Sequence, residues 1–195
     1  MRDFDAELGN LFRRESGRIT SALTRLFGVH NLPLVEDVVG DALAKAVETW
    51  KITGAPENPA AWITAAAKNR AIDVLRRERT ARTMEPELAA ALSTEWARAS
   101  AVDEAFGDEV IRDEQLRMMF ACCQRTLAAE VSVALVLALL CGFGTREIAH
   151  AFLVPLTTME KRVARGKAAL AEAGRLPEVT TERAREHLAS VHSAL

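Results

Sequence analysis

Apolar positions along the chain recur at three- and four-residue steps, the period of a helix buried along one face. In the first segment Phe4, Leu8, Leu11, Phe12, Ile19, Leu23 and Leu26 follow that step, and Gly28 supplies a stop. Pro33 then suits the first turn of a new helix, behind Asn31 or Leu32. Val35, Val39, Ala42, Leu43, Ala46, Val47 and Trp50 form its stripe, with Asp37, Asp41, Lys45 and Glu48 on the opposite face. Gly54 and Pro56 predict a loop over residues 51–57. Asn58 followed by Pro59 is a strong helix start, a capping side chain and then a ring that suits the first helical position. Trp62, Ile63, Ala66, Ala67, Ala71, Val74 and Leu75 make the third stripe, which leaves its core as the basic run 76–82. Three helices around one seam predict a first domain over residues 1–82.

The pattern breaks over residues 83–108, which are rich in Ala and Glu and hold no sustained stripe beyond Leu88, Leu92 and Trp96. That predicts a linker with one short helix. A second domain, 109–175, opens near Asp108 with Leu116, Met119, Phe120 and Cys123 as its first stripe. Residues 131–141 are apolar all round, which predicts a central buried helix. Residues 145–170 follow as a short helix with Ile148 and Ala149 inward, a turn at Leu153 and Val154, and a second helix opened by Pro155. On it Met159, Val163 and Leu170 share one face. Residues 180–195 read as a further helix without a terminal cap, whose Leu188, Val191 and Leu195 have no partner. Residues 176–195 are therefore expected to start a C-terminal extension, either cut short here or packed on the second domain. The expected fold is all-α, two small helical domains and a linker, with no internal repeat.

Composition supports helices over sheets: 49% of the 195 residues are hydrophobic, yet Tyr is absent and only 5% are aromatic. The net charge of −2 is uninformative, whereas its distribution is not. Residues 1–59 carry seven Lys/Arg against nine Asp/Glu, and 60–82 carry six against two. Residues 83–115 carry two against nine, and 145–175 six against three. Two basic patches therefore flank an acidic linker. Cys122, Cys123 and Cys141 are an odd and small set, which suits a reducing compartment. The first ten residues are acidic rather than apolar, and the longest apolar run falls short of the roughly 20 residues of a membrane helix. A cytoplasmic location without a membrane partner is expected.

Three features carry candidate chemistry. Residues 145–170 read as a helix-turn-helix, whose second helix enters the major groove. Thr158, Lys161, Arg162 and Arg165 share the face that would do so. Arg reads guanine bidentately, and Thr and Lys hold phosphates near the positive helix end. Lys68, Arg70, Arg76, Arg77, Arg79 and Arg82 stud the third helix, and a basic helix can track a phosphate backbone by counterion release. The adjoining loop could hold a base pulled from the stack. The acids of the second helix offer a docking face for a basic partner. Each has a blander counterpart, a solvated charged surface or arginines complementing a helix dipole. No phosphate-cradling glycine loop or HExxH motif occurs, and the three cysteines with His150 read as structural thiols rather than a metal set. No enzyme activity, cofactor or metal site is expected.

Over residues 4–175 the chain resembles the extracytoplasmic-function sigma factors. LVEDVVGDALAKAVETW resembles their region 2.2, NPAAWITAAAKNRAIDVLRRER regions 2.3 and 2.4, and TREIAHAFLVPLTTMEKRVARGKAAL region 4.2. RDEQLRMMFACC resembles a subgroup with a tetratricopeptide-like helical extension. The resemblance implies an alternative sigma factor that binds core RNA polymerase and directs it to promoter DNA. Asp37, Gly40, Asp41 and Lys45 would dock on the clamp coiled coil of the largest polymerase subunit. Lys51, Asn58, Lys68, Asn69, Arg70, Asp73, Arg76 and Arg77 would recognise and melt the −10 element, with the 51–58 loop capturing a flipped base. Arg146, Thr157, Thr158, Lys161, Arg162, Arg165 and Lys167 would read the −35 element. The linker would thread the polymerase toward its RNA exit path, its acids mimicking nucleic acid. Further partners would be the chain's own extension or an anti-sigma factor. Three positions depart from the family: Gly40 where Gln is common, Glu160 where a base is usual, and Gly144 where Ser or Thr caps the helix, a place Thr145 could fill. Two rival readings are a sigma-like decoy that binds an anti-sigma partner, and a stand-alone helix-turn-helix regulator.

Overall fold

The computed structural model describes residues 2–81, 95–124, 126–174 and 176–177, with side chains described at 9–77, 100–124, 126–174 and 176–177. The predicted helix over 180–195, the basic side chains Arg79 and Arg82, and Leu88, Leu92 and Trp96 lie outside those residues. Among the described residues the chain is all helix. It runs α1 (Arg2–Phe27), a 3-10 turn (Val29–Asn31), α2 (Leu32–Thr53), α3 (Pro59–Ala81), α4 (Glu95–Ala105), α5 (Asp108–Cys122), α6 (Ala129–Leu139), α7 (Thr145–Ala151) and α8 (Leu156–Ala173).

α1 ends where the periodicity ends, at Gly28, whose φ of 83° suits a residue without a Cβ. The stripes of α1, α2 and α3 then close on one another: Ile19, Leu23, Val35, Ala42, Ala46, Ile63, Ala67 and Ala71 are all buried. Phe12, Trp50 and Trp62 pack as an aromatic row at one end, with centroids 5.7 and 5.6 Å apart.

The one short helix expected within residues 83–108 is α4. α4 has a stripe, Val102, Ala105 and Phe106, which is buried in this first core together with Ile111 of α5. The i, i+3, i+4 spacing was too short to stand out in an Ala- and Glu-rich stretch. Of the stripe expected on α5, Phe120 and Cys123 are buried, whereas Leu116 and Met119 are not. Leu116 is 40% exposed, while Ile111, Met118, Ala121 and Cys122 face inward, with Glu114 among them. Glu114 is tolerated because Arg25 and Arg117 approach its carboxylate at 3.5 and 3.4 Å.

α6 is the central buried helix the sequence predicts, with Val131, Ala134, Leu135, Val136 and Leu139 enclosed. α8 crosses it at Gly166, where a Cβ would lie 2.7 Å from Leu135. A second cluster joins α5, α6 and Leu170 of α8 to Val29 and Leu32, and a third joins α6 to α7 and α8. Val29 and Leu32 thus belong to the chain's first part by sequence and to its second by packing.

α1 is buried on two faces. Its apolar stripe faces α2 and α3, and its other side packs most extensively on α5. That second face consists of small and polar residues, Gly17, Thr20, Ser21 and Thr24. The two buried hydroxyls of Ser21 and Thr24 donate to the carbonyls of Gly17 and Thr20 at 2.9 and 2.7 Å, which satisfies them within the helix. A Cβ on Gly17 would lie 2.0 Å from the carbonyl oxygen of Leu140, and one on Gly142 would lie 2.7 Å from the backbone of Arg13. α1 and the turn after α6 therefore meet backbone to backbone.

Gly17→Ala is expected to destabilise the chain by about 1–3 kcal/mol, since neither backbone can yield cheaply. Gly40→Ala, at an exposed position on α2 with open space around it, should instead stabilise by up to about 1 kcal/mol. Urea denaturation of the two variants checks both signs.

Candidate nucleic-acid interface

The candidate site is built at the junction of α2 and α3. α2 runs on to Thr53 and ends at Gly54, which has φ 78° and donates its N–H to the Trp50 carbonyl at 3.0 Å. Lys51 is consequently on the last helical turn, not in the loop expected over 51–57. The shorter loop from Gly54 leads to Asn58, whose Oδ1 accepts the N–H of Ala61 at 3.1 Å. The predicted cap is therefore formed, and it orients the start of α3 beside the loop.

α3 presents its polar residues as a row along its outer side, and several are already engaged. Lys68 Nζ donates to Asp103 of α4 at 2.7 Å and lies 5.6 Å from the Phe106 ring centroid. Arg70 Nε donates to Asp41 of α2 at 2.6 Å, which joins a predicted DNA contact to a predicted polymerase contact. Arg76 approaches Asp73 at 3.2 Å. Asn69, Arg76 and Arg77 are exposed, as are Asp37, Gly40, Asp41 and Lys45 on α2.

Residues 145–173 form a short helix, a turn and a second helix, at the positions expected for them. Ile148, Ala149, Met159 and Val163 are buried between α7, α8 and α6. The turn places the 90%-exposed Leu153 at φ 53°, and Gly174 closes α8 in the left-handed conformation at φ 70°. Arg146, Thr157, Lys161 and Arg165 are exposed, and Thr158 and Arg162 half-buried. Lys167 is held by Glu36 at the start of α2. The start of α7 departs from the expected cap at Thr145. Gly144 is the cap residue and its N–H donates to Glu147 Oε2 at 2.9 Å, so the acid three residues on makes the reciprocal half of a capping box, which needs no side chain at the cap.

Charge pairing ties these surfaces together across long sequence separations. Arg13 of α1 donates to Glu147 Oε1 at 2.9 Å and stacks over Phe143 at 4.8 Å. Arg18 meets Asp108 at 2.7 Å and Arg25 meets Glu104 at 3.0 Å. These partners (Arg13, Arg18, Glu36, Asp103, Phe106, Asp108, Glu147) were not singled out from sequence. The one usable signal was Phe106, an aromatic set among Asp103, Glu104 and Asp108. The Gly144 N–H and the Arg13 guanidinium hold the Glu147 carboxyl below its ordinary range, and the Arg18 hydrogen bond does the same for Asp108. Cys122 and Cys123 are buried and Cys141 half-buried, and desolvation pushes all three thiols up. Among the described residues no helix is long and apolar enough to cross a membrane.

Residues 11–81 match the family model of Sigma-70 region 2, which takes in most of α1 and all of α2 and α3. What this defines is an all-α chain whose segment 11–81 is similar to Sigma-70 region 2. An uncharacterized protein of Rhizobium meliloti (strain 1021) is 37% identical over 153 residues, which are 78% of this chain and 35% of that relative. The chain thus spans about a third of that relative's length. No solved structure matches.

The low position of the Glu147 carboxyl gives a pH dependence of known sign. Its contribution to stability is fully present above its ordinary value of 4.5 and is lost as pH falls through the lower folded-state value. The difference in unfolding free energy between the parent chain and Glu147→Gln should therefore shrink between about pH 6 and about pH 3. A difference that stays constant over that range would contradict the pairing.

Proposed function

We propose that the chain is an alternative sigma factor of the extracytoplasmic-function type, which binds core RNA polymerase and directs it to promoters. The observation that carries this reading is the Sigma-70 region 2 match, because it covers the helices that bear the acidic face and the basic row. On this reading residues 1–82 form the region 2 domain and 83–108 the linker. Residues 109–175 form the region 4 domain, and 176–195 begin the extension.

The arrangement suits the division of labour. The exposed face of α2 with Asp37, Gly40, Asp41 and Lys45 docks on the clamp coiled coil. The loop after Lys51, the cap Asn58 and the row Lys68, Asn69, Arg70, Asp73, Arg76 and Arg77 meet the −10 element. The capped loop end at Asn58 is a place for a base drawn from the stack. Arg146, Thr157, Thr158, Lys161, Arg162, Arg165 and Lys167 meet the −35 element. Glu160, exposed on the same helix, is suited to accept from a cytosine amino group. The bond-forming chemistry is the polymerase's.

Run-off transcription from a promoter library with purified core polymerase tests the reading. The chain should yield promoter-dependent transcripts. Arg165→Ala should lower output from −35-dependent promoters about 5- to 150-fold, the cost of about 1–3 kcal/mol for one base-reading arginine. Lys161→Ala should weaken DNA binding evenly across sequences and reduce the salt slope by about 1. Operator binding without core polymerase would favour a stand-alone regulator, and capture of an anti-sigma partner without transcription would favour a decoy.

A further inference from the structure

The turn between α7 and α8 is closed by its own backbone. The N–H of Phe152 donates to the Ile148 carbonyl at 3.0 Å, that of Leu153 to the His150 carbonyl at 3.2 Å and that of Val154 to the Ala149 carbonyl at 3.0 Å. The last two bonds are the paired closure that ends many helices, and its left-handed position usually holds glycine, because a Cβ there crowds the backbone. Here that position holds Leu153, at φ 53°. The other positive φ angles among the described residues belong to glycines: Gly28, Gly54, Gly142 and Gly174. Packing gives the leucine nothing in return. It is 90% exposed, more than any other large apolar side chain among the described residues. A side chain that strains its backbone and meets water does nothing for the fold that glycine would not do better, and such outliers mark functional positions.

The surroundings of Leu153 select what it meets. Phe152, Val154 and Leu156 are half-buried against the third cluster, so the apolar surface offered is essentially one side chain. That is far less than the area of a specific protein interface. Exposed along the chain on either side are Arg146, His150 and Lys161, with Glu147, held by Arg13, and Glu160 as the acids. α8 begins three residues on, at Leu156, and the first turns of such a helix are the ones that reach base edges. The major groove has a matching feature. Its base edges present hydrogen-bond donors and acceptors, and the C5 methyl of thymine is its apolar group. A lone apolar side chain among charged ones is complementary to a lone methyl among polar edges.

We propose that Leu153 is a specificity-determining residue of the helix-turn-helix, which selects thymine at one position of the bound duplex by contact with its C5 methyl. The proposal rests on the promoter-binding reading above and deepens it, adding a base and an atom to be read from the turn rather than from the face of α8. The three backbone hydrogen bonds fix the point from which the side chain projects, so the contact forms without ordering a loop. The strain at Leu153 then follows from placing an apolar reader where the turn favours glycine.

The test removes the methyl alone. The full chain enriches a duplex from a random library, and each thymine of that duplex is replaced in turn by deoxyuridine, which keeps the O4 acceptor. One replacement should weaken binding about fourfold, the worth of burying one methyl-sized group. In Leu153→Ala and Leu153→Gly the same replacement should have no effect, and both variants should bind the thymine duplex as weakly as the parent chain binds the deoxyuridine one. Both should fold, as read by circular dichroism, because the side chain is 90% exposed and glycine suits the backbone. A methyl effect of equal size in parent and variants overturns the proposal, since the cycle between side chain and methyl then shows no coupling. Transcription that falls in Leu153→Ala with duplex binding unchanged also overturns it, and sets the side chain against the polymerase instead. A library from which no duplex is enriched removes DNA reading by the helix-turn-helix and the proposal with it. An enriched duplex without coupling leaves that reading standing and removes Leu153 alone.

Discussion

The structure depends on α1 being a helix with two buried faces. An ordinary surface helix offers one apolar stripe and turns its other side to water. α1 gives its Ile19 and Leu23 side to α2 and α3, and its Gly17, Ser21 and Thr24 side to α5 and the turn after α6. The second face works because it is small. Gly17 lets the Leu140 carbonyl approach to a distance no side chain permits, and the hydroxyls of Ser21 and Thr24 return to their own helix. Bulk on this face would separate the two halves of the chain, and unsatisfied polarity would destabilise them. From that contact follow the position of α7, and hence Arg13 facing Glu147, and the position of α8, and hence Lys167 facing Glu36.

Magnitudes decide which of these contacts governs the packing. The Arg13–Glu147 and Lys167–Glu36 pairs are a quarter to a half exposed, and screened pairs of that kind contribute at most about 1 kcal/mol each. Val29 and Leu32 are enclosed by the second cluster at 3% and 1% exposure, and such side chains stabilise by about 1.5–3 kcal/mol each. The seam between the halves is therefore held by apolar side chains, Val29 and Leu32 in the second cluster and Ile111 in the first, and by a glycine contact, and the ion pairs only set its register.

The elements the sequence made legible are those with one-sided stripes. α1, α2, α3 and the helix-turn-helix follow from the spacing of apolar residues, from Asn58 before Pro59, and from glycines at helix ends. The central helix α6 followed from an unbroken apolar run. The stripe of α5 was read correctly at Phe120 and Cys123 but not at Leu116, because the buried face contains Glu114 while Leu116 points outward, and no periodicity rule anticipates a carboxylate paired from two other positions. The inward side of α4 was missed because three residues make too short a pattern. In the site, the cations were legible from sequence, but their partners lie up to 131 residues away, and pairing over such distances leaves no mark in local sequence. Residue types were readable, whereas their state of engagement was not.

That engagement has a geometric consequence for the proposed function. Promoter elements named for positions −10 and −35 lie about 25 base pairs apart, or about 85 Å along the duplex at about 3.4 Å per pair. A packed chain of 195 residues has a radius of gyration of about 16 Å and is about 42 Å across as a sphere. A chain that stays packed on α1 cannot touch both elements. Reaching both requires the seam at Val29, Leu32 and Gly17 to part, with the segment 83–108, up to about 90 Å long when extended, spanning the gap. That segment includes α4, and α4 is what brings Asp103 to Lys68. Extension of the linker and exposure of Lys68 are then one event: the chain cannot lengthen toward the distant element without also drawing its own acids away from the near one. On the proposed reading, docking on polymerase would supply the free energy that the apolar contacts and the glycine contact hold in the closed form.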